Sequence, residues 1–179
     1  FNKGRWESSM GALSRKQIWD ALNSTQPILD GFHDLESQLQ PNGFDLSLSK
    51  AARFTGPGQI GITNTTRKLA PTEPLPFRED NLLVMPPGSY LVTFNEVVHL
   101  PLDIMAIGKP RSSLLRCGVT VHNAIWDAGY HGRSQALLTV YNESGVVLAK
   151  DARIIQLVFF SMDSPASDGY SGRFQQENI

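Results

Sequence analysis

Three short stretches hold the residue types that could do chemistry. In IWDAGYHG, residues 125–132, Asp127 stands beside Trp126 at the lip of a turn marked by Gly129 and Gly132, with Tyr130 close by. The glycines mark backbone that must bend or come close to something. A carboxylate of ordinary pKa, about 3.9, is ionised at neutral pH and can accept a proton from water. An Asp next to Gly can equally serve only to support its turn. In GKPRSSLLRCG, residues 108–118, Arg111, Ser112, Ser113 and Arg116 place two guanidiniums and two hydroxyls within six residues. Guanidinium forks suit phosphate oxygens, and backbone N–H groups would join them if the segment turns or starts a helix. A solvated basic turn has the same composition. The C-terminal DGYSGRFQQEN combines Tyr170, Arg173 and Phe174 with two glycines. It reads either as a flap that closes over a ligand or as a frayed end.

Other chemistries lack their residues. His33, His99, His122 and His131 show no metal-ligand spacing, and with Cys117 as the single cysteine they cannot form the His–Glu, Cys-x-x-Cys set of a zinc deaminase. Neither a G-x-S-x-G elbow nor a Walker-type loop is present. Cys117 reads as a buried small hydrophobe and not a nucleophile, and one cysteine in the chain points to a reducing, cytoplasmic setting. Sixteen Lys and Arg against 17 Asp and Glu give a net charge of −1, so no global basic field draws the chain to nucleic acid or membrane. An anionic ligand must therefore be met by a local cluster. No apolar run approaches the roughly 20 residues of a membrane span.

The elements that must position these stretches are mostly strands. One helix is signalled at LSRKQIWDALNS: Ser14 is a good N-cap, Gln17 completes a capping box, and Leu13 with Ile18 forms a hydrophobic staple. After Pro41 the pattern has period two. FDLSLS alternates Phe44, Leu46 and Leu48 against Asp45, Ser47 and Ser49, so Asp45 points away from the apolar face. Strand-like runs follow at QIGIT, NLLVM, SYLVTFNEVVHL, GVTVHNAI, ALLTVYN, GVVLAK and RIIQLVFF, many separated by turn residues. Many short strands after one helix predict a mainly β fold, a distorted jelly-roll barrel or sandwich. The Pro-rich stretch 64–87 reads as a surface excursion. The domain is expected over 10–163, with 164–179 as the flap and 1–9 as a leader or expression remnant before Met10.

Taken together, these stretches resemble the dUTPase and dCTP deaminase superfamily, colinearly from about Leu13 to Gln175. LQPNGFDLSL is similar to the deaminase segment LQP…DL.L and to the first dUTPase motif. MPPGSYLVTFNEVVHLP resembles a deaminase-type strand pair, PRSSLLRCGV the second motif, AIWDAGYHG the third, ARIIQLVF the fourth, and YSGRF the C-terminal motif. The resemblance implies a β-clip jelly roll that trimerises with active sites shared between subunits. It further implies that Arg111, Ser112, Ser113 and Arg116 grip a triphosphate, joined by Gln156 and Arg173, and that Asp127 deprotonates a water. Tyr130 would pack on the deoxyribose, and His122, Asn123, Ala124, Trp126, Tyr170 and Phe174 would enclose sugar and base. Asp45 would help hold the hydration shell of Mg²⁺.

The deaminase branch of this superfamily has a proton-shuttling glutamate in an L-E-F-Y-N-like run after the third motif. The matching run here is LLTVYN, with Thr139 at the glutamate's place, or Leu137 in the other register. Neither transfers a proton at neutral pH. The resemblance therefore implies a deaminase-like dUTPase that hydrolyses dUTP to dUMP and pyrophosphate. A dCTP deaminase, with or without a second, dUTP-hydrolysing activity, and a non-catalytic deoxynucleotide-binding regulator are the alternatives. Trp126 stands where the family has an aliphatic residue, and extra residues in HGRSQALL fall near the hairpin that reads the base.

Overall fold

The computed structural model describes residues 11–179; the proposed leader at 1–9 lies outside the described residues. The chain forms β1 (Gly11–Ala12), α1 (Arg15–Leu22), β2 (Leu29–Asp30), α2 (Leu35–Gln38), β3 (Leu39–Gln40), β4 (Gly43–Phe54), β5 (Thr72–Leu75), β6 (Leu82–Met85) and β7 (Gly88–Phe94). It continues through β8 (Val97–His99), β9 (Ile104–Pro110), α3 (Ser112–Arg116), β10 (Val119–His122), β11 (His131–Gly132), β12 (Gln135–Val140), β13 (Val146–Ala149) and β14 (Arg153–Ser161). All strand pairs are antiparallel. The main sheet runs β1-β14-β4-β7-β12-β10, with β9 on β14 and with β3 and β5 on β4. The fold is the expected jelly-roll-like β structure.

β4 makes the corner. Its first half pairs with β14, Phe44 opposite Leu157 and Asp45 opposite Gln156. After an irregularity between Leu48 and Lys50 its second half pairs with β7, from Leu48 opposite Phe94 to Arg53 opposite Tyr90. One strand thus serves two halves of the roll, a bend of the kind that bulges supply. Phe44, Leu46 and Leu48 are fully buried with Phe94, Leu138, Ile154, Ile155 and Phe159. The helix forms as its sequence requires: the Ser14 side chain accepts from the Gln17 backbone N–H, Gln17 reciprocates, and Ile18 is fully buried.

Three expectations about elements change. QIGIT is not a strand: Gln59 makes one isolated bridge to Lys68, and Ile60 and Ile62 project into solvent. With no partner strand, its β-branched residues have nothing to pack on. The stretch 64–87 is more than an excursion, because β5 pairs with β4 and β6 with β13. β9, which sequence reading passed over, pairs with β14 over seven residues. Its buried positions include Ala106 and Gly108, too small to mark an apolar face by type.

The polar face of β4 is buried as well. Glu96 is wholly enclosed, accepting from Gln38 Nε2 at 2.6 Å, Ser47 N at 2.9 Å and Ser47 Oγ at 2.7 Å. Burial pushes its carboxyl above the usual range, against the downward pull of these donors. Folded Glu96 therefore keeps its proton to a higher pH than the unfolded chain does, and stability falls as pH rises through that window. As pH rises above about 4, the urea midpoint should fall more steeply for the wild type than for Glu96→Gln. Parallel slopes would contradict this assignment.

Candidate active site

The IWDAGYHG stretch connects β10 to β11, where it lines a cleft of about 860 Å³. Gly129 takes φ +80°, and its N–H donates to Leu100 O at 3.1 Å. The turn is closed by main chain: Tyr130 N donates to the Asp127 carbonyl at 3.1 Å. No hydrogen bond or ion pair among the described residues engages the Asp127 carboxylate, which is exposed on the cleft wall. The opening ambiguity thus has a geometric answer. The backbone of Asp127 makes the turn, and its side chain is left over for the cleft.

Around Asp127 the fold gathers His122, Asn123, Ala124, Trp126 and Tyr130, and from the tail Tyr170 and Phe174. These are all the residues expected at sugar and base. Trp126 and Tyr130 are buried and stand on one polar chain. Trp126 Nε1 donates to Ser134 Oγ at 2.6 Å, Ser134 Oγ lies 3.1 Å from Tyr130 Oη, and Tyr130 donates to Glu177 Oε1 at 2.9 Å. Burial pushes the Tyr130 phenol well above its ordinary pKa, so it stays a donor. Trp126 therefore forms part of the wall, and it packs closely enough that a Cβ on Gly108 would meet its ring at 3.0 Å.

The tail docks on the same loop. Tyr170 N donates to Ala128 O at 2.8 Å, and Gln175 accepts from His131 N at 2.8 Å while donating to Gly129 O at 2.9 Å. Tyr170 meets Tyr130 edge to face at 5.7 Å, and the Arg67 guanidinium lies 5.5 Å from the Phe174 ring centre. Arg67 belongs to the Pro-rich stretch, which also supplies Leu69, Ala70 and Thr72 to the cleft wall. Gly129 is needed twice here. A Cβ there would stand 2.6 Å from Gly169 Cα, and a side chain at positive φ is itself strained by roughly 1–2 kcal/mol. Gly129→Ala should displace the tail and speed tryptic cleavage after Arg173. Unchanged protection would refute this docking.

The proposed phosphate donors lie elsewhere in this chain. Ser112, Ser113 and Arg116 are exposed on α3, with Arg111 as its N-cap, and none lines the cleft; Cys117, expected to be buried, is exposed as the C-cap of this one-turn helix. Near them a second groove of about 490 Å³ shares His122, Asn123, Ala124 and Ile125 with the cleft. Gln156 is half-buried on β14, so close to Gly43 that a Cβ there would meet its Nε2 at 2.8 Å. Arg173 is exposed outside the cleft.

Asp45 has surroundings that differ from those expected. Its side chain is 1% exposed, and Oδ2 sits 3.0 Å from Arg111 Nε and 3.4 Å from Arg153 Nη1. Burial pushes its carboxyl up, against the pull of both guanidiniums. A carboxylate enclosed this way fixes the direction of Arg111 through Oδ2. Among the described residues no group of three His, Cys, Asp or Glu is placed to hold a metal. Asp45 Oδ1 is buried and has no hydrogen-bond partner among the described residues.

Sequence reading missed Ser134, Gln135 and Glu177 in the cleft and Arg153 beside Asp45. Ser134 and Gln135 lie within HGRSQALL, Glu177 within DGYSGRFQQEN and Arg153 within ARIIQLVF, but no spacing marks these individual residues. Thr139 lies on β12 between Ser89 and Thr120 and outside the cleft, whereas Leu137 lines it.

Comparison with known proteins agrees with this architecture. A family model described as dCTP deaminase-like matches residues 12–162. A "Probable deoxyuridine 5′-triphosphate nucleotidohydrolase" of Methanosarcina acetivorans is 44% identical, the match covering 94% of this chain and 99% of that protein. A protein of the same name from Archaeoglobus fulgidus is 45% identical over 95% of this chain and 99% of its own. Among solved structures, 2′-deoxycytidine 5′-triphosphate deaminase from Agrobacterium tumefaciens aligns with a TM-score of 0.63 at 26% identity, over 86% of this chain. The chain spans 50% of the length of that structure.

Proposed function

The chain belongs to the dCTP deaminase-like family, and from that premise we propose that it hydrolyses dUTP to dUMP and pyrophosphate, with Asp127 as the general base. The observation that carries this reading is the Asp127 carboxylate itself: exposed in an aromatic-walled cleft and not used by its own turn. The archaeal relatives named as deoxyuridine triphosphate nucleotidohydrolases support the choice of substrate.

Asp127 takes a proton from a water whose oxygen bonds to the α-phosphate. The α–β bridging bond breaks toward pyrophosphate, and the proton then passes to solvent. Mg²⁺ bound with the nucleotide would neutralise charge on the phosphate oxygens, with Asp45 as the residue nearest to its water shell. Arg111 and Arg116, with the Ser112 and Ser113 hydroxyls, hold the anion, and Gln156 and Arg173 add contacts as the site closes. Tyr130 and Trp126 form the sugar and base side. The enzyme works in the cytoplasm on the free nucleotide pool.

The separation of α3 from the cleft favours shared sites, in which one subunit brings its phosphate donors to the cleft of another. Light scattering should accordingly give three times the mass of the 179-residue chain. A monomer that hydrolyses dUTP at full rate would exclude shared sites. The deaminase reading is weakened because Leu137, the residue of the two that lines the cleft, has no proton to transfer. Pyrophosphate release from dUTP with Mg²⁺ tests the proposal, and its absence would sink it.

A further inference from the structure

Glu177 enters the cleft from the tail, outside the YSGRF motif. With the Glu177 carboxyl ionised the polar chain beneath it runs one way, although burial pushes that carboxyl above the usual range, against the donation from Tyr130. An indole N–H donates and cannot accept. Ser134 Oγ therefore accepts from Trp126, turns its own hydrogen to Tyr130 Oη, and leaves the phenol hydrogen for Glu177 Oε1. The series ends on a carboxylate whose Oε2 has no hydrogen bond among the described residues. The backbone of Glu177 is pinned too: Arg133 N donates to its carbonyl at 2.9 Å, and Asn178 Nδ2 donates to Arg133 O at 2.9 Å. A fixed acceptor now faces a cleft with Leu69, Leu91, Ile125 and Leu137 in its walls. Among apolar walls an acceptor left without a donor is costly, so this one selects a ligand that brings an N–H.

We infer that Glu177 is a specificity-determining residue, accepting the N3–H of a uracil ring through Oε2. The inference rests on the dUTP reading above and adds the group that reads the base. Uracil carries a hydrogen on N3. Cytosine carries a lone pair there, which would face the carboxylate lone pairs, and its amino donor lies one position further round the ring. Thymine also carries N3–H, so Glu177 does not separate uracil from thymine.

The test uses the full chain with Mg²⁺ and three analogues that cannot be cleaved, the α,β-imido forms of dUTP, dTTP and dCTP. Glu177→Gln keeps an oxygen for Tyr130 and can turn its amide hydrogens toward a cytosine N3. The preference for uracil and thymine over cytosine should fall roughly 10- to 100-fold, the two N3–H rings weakening together. Glu177→Ala, which cannot hydrogen-bond at all, should also lose the preference. If all three analogues weaken alike in both variants, or none does, Glu177 is only a tail anchor and the inference is overturned. Wild-type pyrophosphate release from dUTP is read in parallel. Uracil preference that depends on Glu177, without release, would remove the hydrolysis and keep this assignment. Release with an unchanged preference in the variants would do the reverse.

Discussion

Asp127→Asn is expected to slow pyrophosphate release from dUTP by roughly 10²- to 10⁴-fold while leaving triphosphate binding nearly intact. Asparagine has the shape of aspartate but no basic lone pair at neutral pH, so only proton acceptance is lost. The turn should not notice the change, because it is closed through the Asp127 carbonyl and by Gly129 at φ +80°. The thermal midpoint should therefore stay where it is while kcat falls. That combination separates the two roles an aspartate beside a glycine can have. A near-normal kcat, or a collapse of stability with kcat preserved in the folded fraction, would return Asp127 to turn formation.

Asp45→Asn should act through a different route. It removes the charge that faces Arg111 at 3.0 Å and Arg153 at 3.4 Å in a pocket where Asp45 is 1% exposed. Breaking such a pair costs roughly 3 kcal/mol, at the low end of the buried range because the guanidiniums themselves are part-exposed. Arg111 then loses its fixed direction, and binding of dUTP should weaken roughly tenfold. If Asp45 acts through Arg111 alone, the concentration of Mg²⁺ that half-saturates the reaction should not move. A rise in that concentration, with stability and nucleotide binding unchanged, would restore Asp45 to the metal.

How much of this was legible in the sequence depends on distance along the chain. The helix was legible because capping box and staple are local, and β4 because its alternation is uninterrupted from Phe44 to Ser49. The cleft residues from His122 to Tyr130 were legible because one loop carries them and the family resemblance assigned them roles. β9 was not, since Ala106 and Gly108 fill its inward positions without advertising a face. Neither was the Asp45 pairing. Asp45 and Arg153 are 108 residues apart, and only the β4–β14 register brings them together. The sequence also gave no sign that α3 and the cleft lie apart within one chain, or that Glu177 returns to Tyr130 from 47 positions away.

The most direct measurement is a side-by-side assay with Mg²⁺ that follows pyrophosphate and ammonia from dUTP and dCTP, with wild type and Asp127→Asn together. The wild type should release pyrophosphate from dUTP, the variant almost none, and neither should release ammonia from dCTP. Ammonia from dCTP, or pyrophosphate that survives the loss of the Asp127 carboxylate, would contradict it.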